Sequence, residues 1–170
     1  MKKLIFGLLF LSGLWSCTDP EPEVYSGKKL DFELFKSSDF DYSGQLSVQE
    51  MKDGSLEFTV LLTGPSSASS TVYPAHLHFG TYDQADTPIA AILNSIPSKE
   101  LKSVTILNQL SDGNKLDFDA IRNFNGHVKV HLAADGPDYS VILVAGNVGN
   151  TSLDQSEFDR NKIAVCGKSF

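Results

Sequence analysis

Two cysteines and four histidines are all that this 170-residue chain offers as strong transition-metal ligands. Cys17 closes an N-terminal leader and Cys166 sits in the apolar run Ile163-Ala-Val-Cys-Gly167. So few cysteines, placed so far apart, exclude a disulfide-dense scaffold. Basic residues are also scarce, 14 against 21 acidic, for a net charge of −7. That balance argues against nucleic acid as a partner and against docking on anionic lipid by a basic surface. The chain has no phosphate-binding glycine loop, no Ser-His-Asp order and no glutamate pair whose spacing demands a hydrolase. Internal repeats are missing, and biased composition is confined to a short proline-rich stretch and a serine-rich loop.

What is present begins with a leader. Met1-Lys2-Lys3 precedes a mostly apolar run from Leu4 to Trp15, a basic start and an apolar stretch too short for a stable membrane span. Residues 1–16 therefore read as a secretory signal. Its end, Leu14-Trp15-Ser16-Cys17, resembles a bacterial lipobox, with Trp15 standing where a small residue is usual. That resemblance implies acylation of Cys17 and cleavage before it, so that the membrane is met through the lipid anchor at Cys17. Residues 17–27 then form an acidic tether, proline-rich over Thr18-Asp-Pro-Glu-Pro-Glu-Val24. Such a tether resembles signals that send lipoproteins to the outer membrane and the cell surface. The leader holds two lysines and no acid, so the chain behind it carries 12 basic and 21 acidic residues. Lipidation would leave Cys166 as the lone thiol, unable to form an intramolecular disulfide, and its apolar setting suits a buried inert group.

Residues 28–170 read as one all-β domain, a sandwich or barrel built from strands separated by turn chemistry. The first strand is expected over Leu30–Phe35. Gly44–Met51 and Ser55–Leu62 should pair as a hairpin across Lys52-Asp53-Gly54, with Leu56, Phe58, Val60 and Leu62 alternating inward. Further strands are expected over Tyr73–Phe79, Ile89–Leu93 and Ser103–Leu107, with a helical turn over Leu116–Phe124. His127–Ala133 and the apolar Tyr139–Ala145 should form a central hairpin, closed by Gly146-Asn-Val-Gly149, and Ile163–Val165 a last edge strand.

All four histidines fall in two of these strands, at His76, His78, His127 and His131. Side chains alternate along a strand, so His76 and His78 share a face opposed to Ala75, Leu77 and Phe79. His127, Lys129 and His131 likewise oppose Val128, Val130 and Leu132. Two readings of these outward imidazoles stay open: convergence on a metal ion, or half-exposed strands that carry polar residues to the surface. If the two strands are neighbours, His76, His78 and His131 could share one ion, which for three imidazoles would be copper or zinc. His127 lies about 13 Å from His131 along an extended strand and reads as a surface residue. Asp83, Asp86, Asp135 and Asp138 occupy the following loops, as turn residues, as carboxylates that orient the imidazoles, or as ligands of a hard cation themselves.

The motifs Pro74-Ala-His-Leu-His-Phe-Gly80, Pro88-Ile-Ala-Ala-Ile-Leu93, Gly126-His-Val-Lys-Val-His-Leu-Ala-Ala-Asp135 and Val144-Ala-Gly-Asn-Val-Gly149 resemble, in that order, CHRD (chordin-like) domains of bacterial exported lipoproteins. These are related in fold to copper/zinc superoxide dismutases. The resemblance covers residues 28–150 and implies a Greek-key, immunoglobulin-like or superoxide-dismutase-like sandwich. It implies copper ligation at the positions of His76, His78 and His131. Residues 79–126 contain no histidine, so the dismutases' bridging and zinc ligands have no counterpart. Two functions follow: a lipid-anchored binding or structural module, holding copper through surface histidines or meeting a protein or glycan, or a copper-only dismutase-like enzyme. The enzyme would need a positive approach path, for which Lys129, Arg122 and Arg160 are the candidates.

Overall fold

Eight strands form the body of the fold, and every pairing between them is antiparallel. The computed structural model describes residues 23–165. The leader, Cys17, the tether as far as residue 22, and Cys166 lie outside the described residues. The strands are β1 (Tyr25–Lys36), β2 (Ser43–Met51), β3 (Leu56–Thr63), β4 (Val72–Phe79), β5 (Ile89–Pro97), β6 (Lys102–Leu107), β7 (Asn125–His131) and β8 (Ile142–Gly149). A five-residue helix, α1 (Phe118–Arg122), precedes β7. Asp117 caps it by accepting from the Ala120 backbone N–H at 3.0 Å. Among the described residues, no helix is long and apolar enough to cross a membrane.

The strand order is β5-β4-β7-β8-β1-β2-β3-β6. Strand β1 joins the two halves, pairing with β2 as far as Leu34 and with β8 at Phe35 and Lys36. The outermost strands also approach: the Asn94 backbone N–H donates to Thr105 Oγ1 at 2.8 Å, and Asn94 Nδ2 to the Val104 carbonyl at 2.6 Å. The sheet is thus nearly closed into a barrel. Strands β4, β5 and β6 follow one another around it, and the connection through α1 returns β7 to the far side of β4, which is Greek-key order. Closure removes most of the exposed sheet edge.

The interior is filled by the inward set of each strand, including Leu46, Phe58, Val60, Leu77, Ile96 and Val130. Leu56, Phe58, Val60 and Leu62 all point inward, as alternation requires. The β2–β3 hairpin turns through Asp53-Gly54, where Gly54 has φ +84°, a conformation glycine adopts without strain.

Several expected boundaries shift. Strand β1 begins at Tyr25, inside the segment read as tether. The apolar run at Tyr139 does not open a strand: Pro137–Ser140 is a 3-10 turn, with proline in its first turn and the Val141 N–H donating to the Asp138 carbonyl. Strand β8 instead continues through Gly146 to Gly149. A Cβ at Gly146 would lie 2.1 Å from the Glu33 carbonyl oxygen, so glycine here lets two backbones pass rather than ending the strand. Finally, Ile163–Val165 is not a strand. It is irregular chain, tied down where the Ala164 N–H donates to the Tyr82 carbonyl.

The largest departure concerns the outward face of β4, β7 and β8. These strands are buried on both sides over nearly their whole length. Three connecting segments cover the second face: the loop 80–88 after β4, the turn 132–141 before β8, and residues 150–165 after it. Phe158 stacks on Phe35 and lies against Tyr82, each with ring centroids 4.7 Å apart. Tyr82 Oη accepts from the Asp159 N–H, and the Tyr82 N–H donates to Asn147 Oδ1 at 2.9 Å. Tyr82 and Tyr139 are almost fully buried, so the molecule has a second, smaller interior outside the barrel wall.

Candidate metal centre

The histidines line that second interior. Strand β7 lies against β4 with His127 opposite His78 and Lys129 opposite His76. Directly opposed residues bring their side chains together, so the register sets a row of imidazoles across the two strands. His131 lies beyond the last paired rung and packs diagonally on His76, with ring centroids 5.1 Å apart. His76 and His78 are 5.9 Å apart. One ring nitrogen from each of His76, His78 and His131 lies within 4.8 Å of the other two, a grouping that could hold a metal ion.

None of the four is a surface residue. His76 is 6% exposed, His78 1%, and His127 and His131 0%. The expectation of surface histidines, and of a surface His127 in particular, is therefore corrected. Alternation did turn the rings away from the barrel core, but the aromatic-bearing loops then closed over them. The estimate that His127 and His131 cannot easily share one ion is in line with the grouping, in which His127 is not among the three converging rings.

Main-chain carbonyls hold the rings. Nδ1 of His78 faces the Thr87 carbonyl at 3.2 Å, that of His127 the Gly80 carbonyl at 2.7 Å, and that of His131 the Tyr139 carbonyl at 2.8 Å. A carbonyl can only accept, so each of these nitrogens carries the proton and Nε2 is the unprotonated nitrogen of each ring. The orienting role proposed for Asp83, Asp86, Asp135 and Asp138 is thus filled by the backbone of the same loops. Asp83 accepts instead from Thr81 Oγ1, and Asp86 takes up a turn conformation with φ 53°. The Tyr139 ring adds a stack on His131, 4.4 Å between centroids and 7° between planes.

Burial keeps the rings neutral. Desolvation lowers His76 to about 4, helped by the neighbouring His131 and His78. It also lowers His78 to about 4 and His127 to about 3, with the Lys129 charge adding to both. His131 shifts the same way for the same two reasons. Neutral imidazole is the ligand form. Nδ1 of His76 and Nε2 of His131 and His127 are buried with no hydrogen-bond partner among the described residues. Unpaired buried nitrogens are costly, and a bound cation is one partner that would offset that cost.

The cations considered for an approach path are differently placed. Lys129 lies in the cluster but is 1% exposed, its Nζ donating to the Ala164 carbonyl at 2.6 Å. Arg122 pairs with Asp119 on the exposed side of α1. Arg160 pairs with Asp39 and donates to the Ser38 carbonyl. Sequence reasoning missed the carbonyl clamps and the aromatic cover. The available signal was the set of aromatic residues Tyr82, Tyr139 and Phe158 in stretches otherwise rich in turn residues.

Fold and site together define a class: a nearly closed Greek-key β-barrel with a three-histidine group that could hold a metal ion, enclosed between its wall and its loops. No family model, curated protein or solved structure matches the chain.

Proposed function

We propose that this chain is an exported, envelope lipoprotein, anchored to a membrane through Cys17, whose CHRD-like barrel binds a copper ion at His76, His78 and His131. One observation carries the metal reading: three neutral, buried imidazoles converge within 4.8 Å, and two of them hold nitrogens with no other partner. Imidazole nitrogen suits both copper and zinc, and for a given nitrogen site copper(II) is the tighter binder of the two. The sequence resemblance favours copper as well. Binding without turnover fits the enclosure of the rings, because a dismutase-like cycle needs an open coordination position and a charged path to it. The Lys129 ammonium is buried against the C-terminal segment rather than exposed at a mouth.

The test is calorimetric titration of residues 24–170 with copper and with zinc, alongside a variant with His76, His78 and His131 changed to alanine. Tight one-to-one copper binding, lost in a variant that keeps its β circular-dichroism spectrum, supports the reading. No binding by the wild-type domain overturns it and leaves a structural or adhesive module.

A further inference from the structure

Apolar exposure is unevenly spread over the barrel. Of the nine large hydrophobic side chains exposed among the described residues, six lie at the root of β1 or on the outer wall of β3, β6 and β5: Val24, Tyr25, Leu61, Ile92, Val104 and Ile106. Leu61, Val104 and Ile106 alternate with inward-facing residues, and Ile106 stands opposite Glu57 of β3. Tyr25 Oη donates to that same Glu57 at 2.8 Å, reaching across β2. On the other side of β6, Asn94 of β5 bonds Val104 and Thr105. These two strands run antiparallel, so Ile92 and Ile106, the two most exposed of the set, lie side by side. The band thus crosses four strand spacings from the root of β1 to β5, or about 19 Å. Single apolar residues on a surface need no explanation, whereas a contiguous set marks a contact.

Two features indicate what the band meets. The chain enters the fold at its edge: Cys17 is eight residue steps before Tyr25, a reach of no more than about 28 Å at full extension. An acyl group on Cys17 would hold the root of β1, and with it the band, within that distance of a bilayer. The composition also suits an interface, aliphatic side chains with a tyrosine at the border. The carboxylate within the band, Glu57, already accepts from the Tyr25 and Thr59 hydroxyls. Lys102 stands opposite Leu61 at the band's margin, where a long side chain can carry its ammonium to lipid phosphate. The histidine-bearing strands β4 and β7 lie on the other side of the barrel, beneath their loops.

We propose that this band is the face which the anchored domain lays against the bilayer, so that the loop-covered histidine side is turned to the medium. The inference rests on the lipid anchor proposed above and adds an orientation to it. Few side chains take part, so the band does not hold the domain to a membrane unaided. Once the acyl chain has brought domain and bilayer together, the contact is intramolecular and forms at high effective concentration.

Trp15 is the one tryptophan of the chain and lies in the leader, so the acylated chain cleaved before Cys17 is a tryptophan-free background. Ile106→Trp, with Phe40→Trp as reference, is incorporated into phosphatidylcholine vesicles whose acyl chains carry bromine, a contact quencher of indole fluorescence. Phe40 is exposed beyond the opposite end of β1. Quenching should be at least about threefold stronger for Ile106→Trp than for Phe40→Trp, because an apolar face settles about 5–10 Å into the headgroup boundary. Ile92→Trp serves the same purpose should Ile106→Trp fail to fold. Equal quenching of the two variants, or none of either, overturns the proposal. So does sedimentation in which residues 24–170 form a dimer that Ile106→Asp dissociates, which would give the band to a second copy of the chain. A chain that is not acylated, or that does not enter vesicles, overturns the anchor reading itself, so the two failures are distinguishable.

Discussion

Four imidazoles with depressed proton affinity make folding sensitive to acid. In the unfolded chain a histidine ionises near 6.5, whereas in the fold His76 and His78 ionise near 4 and His127 near 3. The unfolded state therefore binds more protons through the interval between these values, and stability rises with pH across it. The contribution is complete above about pH 6.5 and is lost as the pH falls towards 4 and below. Urea midpoints of the metal-free protein should accordingly drop between pH 7.5 and 4.5, and His127→Asn should show a smaller drop. Equal drops in the two proteins would mean that His127 does not carry the linkage. That the histidines lie opposite Leu77, Val128 and Val130 was legible from period-two alternation alone. Their burial was not, because it depends on what other parts of the chain lie above them.

The segments that cover the histidines are held by a few contacts each. Residues 150–165 are fastened by the Phe158 stacks on Phe35 and Tyr82, the Lys129–Ala164 bond and the exposed Arg160–Asp39 pair. An exposed ion pair contributes little, so the fastening falls to the aromatic contact and to the hydrogen bonds of Lys129 and Tyr82. Phe158→Ala should cost about 1–3 kcal/mol, measured by urea denaturation. It should also expose the C-terminal segment to limited proteolysis while the barrel resists. A variant cut no faster than wild type would place the fastening elsewhere. The hairpin at Asp53-Gly54 was readable because a two-residue signal determines a local turn. The reach of β8 through Gly146 was not, since glycine suits both a strand end and a close backbone crossing, and the Glu33 carbonyl that decides between them is distant in sequence.

The proposed anchoring and export rest on the sequence of residues 1–27, and they predict behaviour independent of the barrel. Cys17→Ser should abolish incorporation of a labelled fatty acid and release the protein from the membrane fraction, with the domain still folded. Persistent membrane association in that variant would remove the lipid anchor. The acidic balance of residues 17–170, 12 basic against 21 acidic residues, gives no basic surface for anionic lipid, so under the proposed reading attachment would fall to the acyl chain. Composition, turn residues and alternation determined the all-β class, most strand positions and the face each histidine occupies, because these are local properties that repeat every two residues. Only the tertiary structure decided that β4 and β7 are neighbours and that His131 reaches His76. Only it decided that carbonyls of Gly80, Thr87 and Tyr139 orient the rings, and that loop aromatics seal the face. Those outcomes depend on strand order and on contacts between residues far apart in the chain, which a local pattern does not encode.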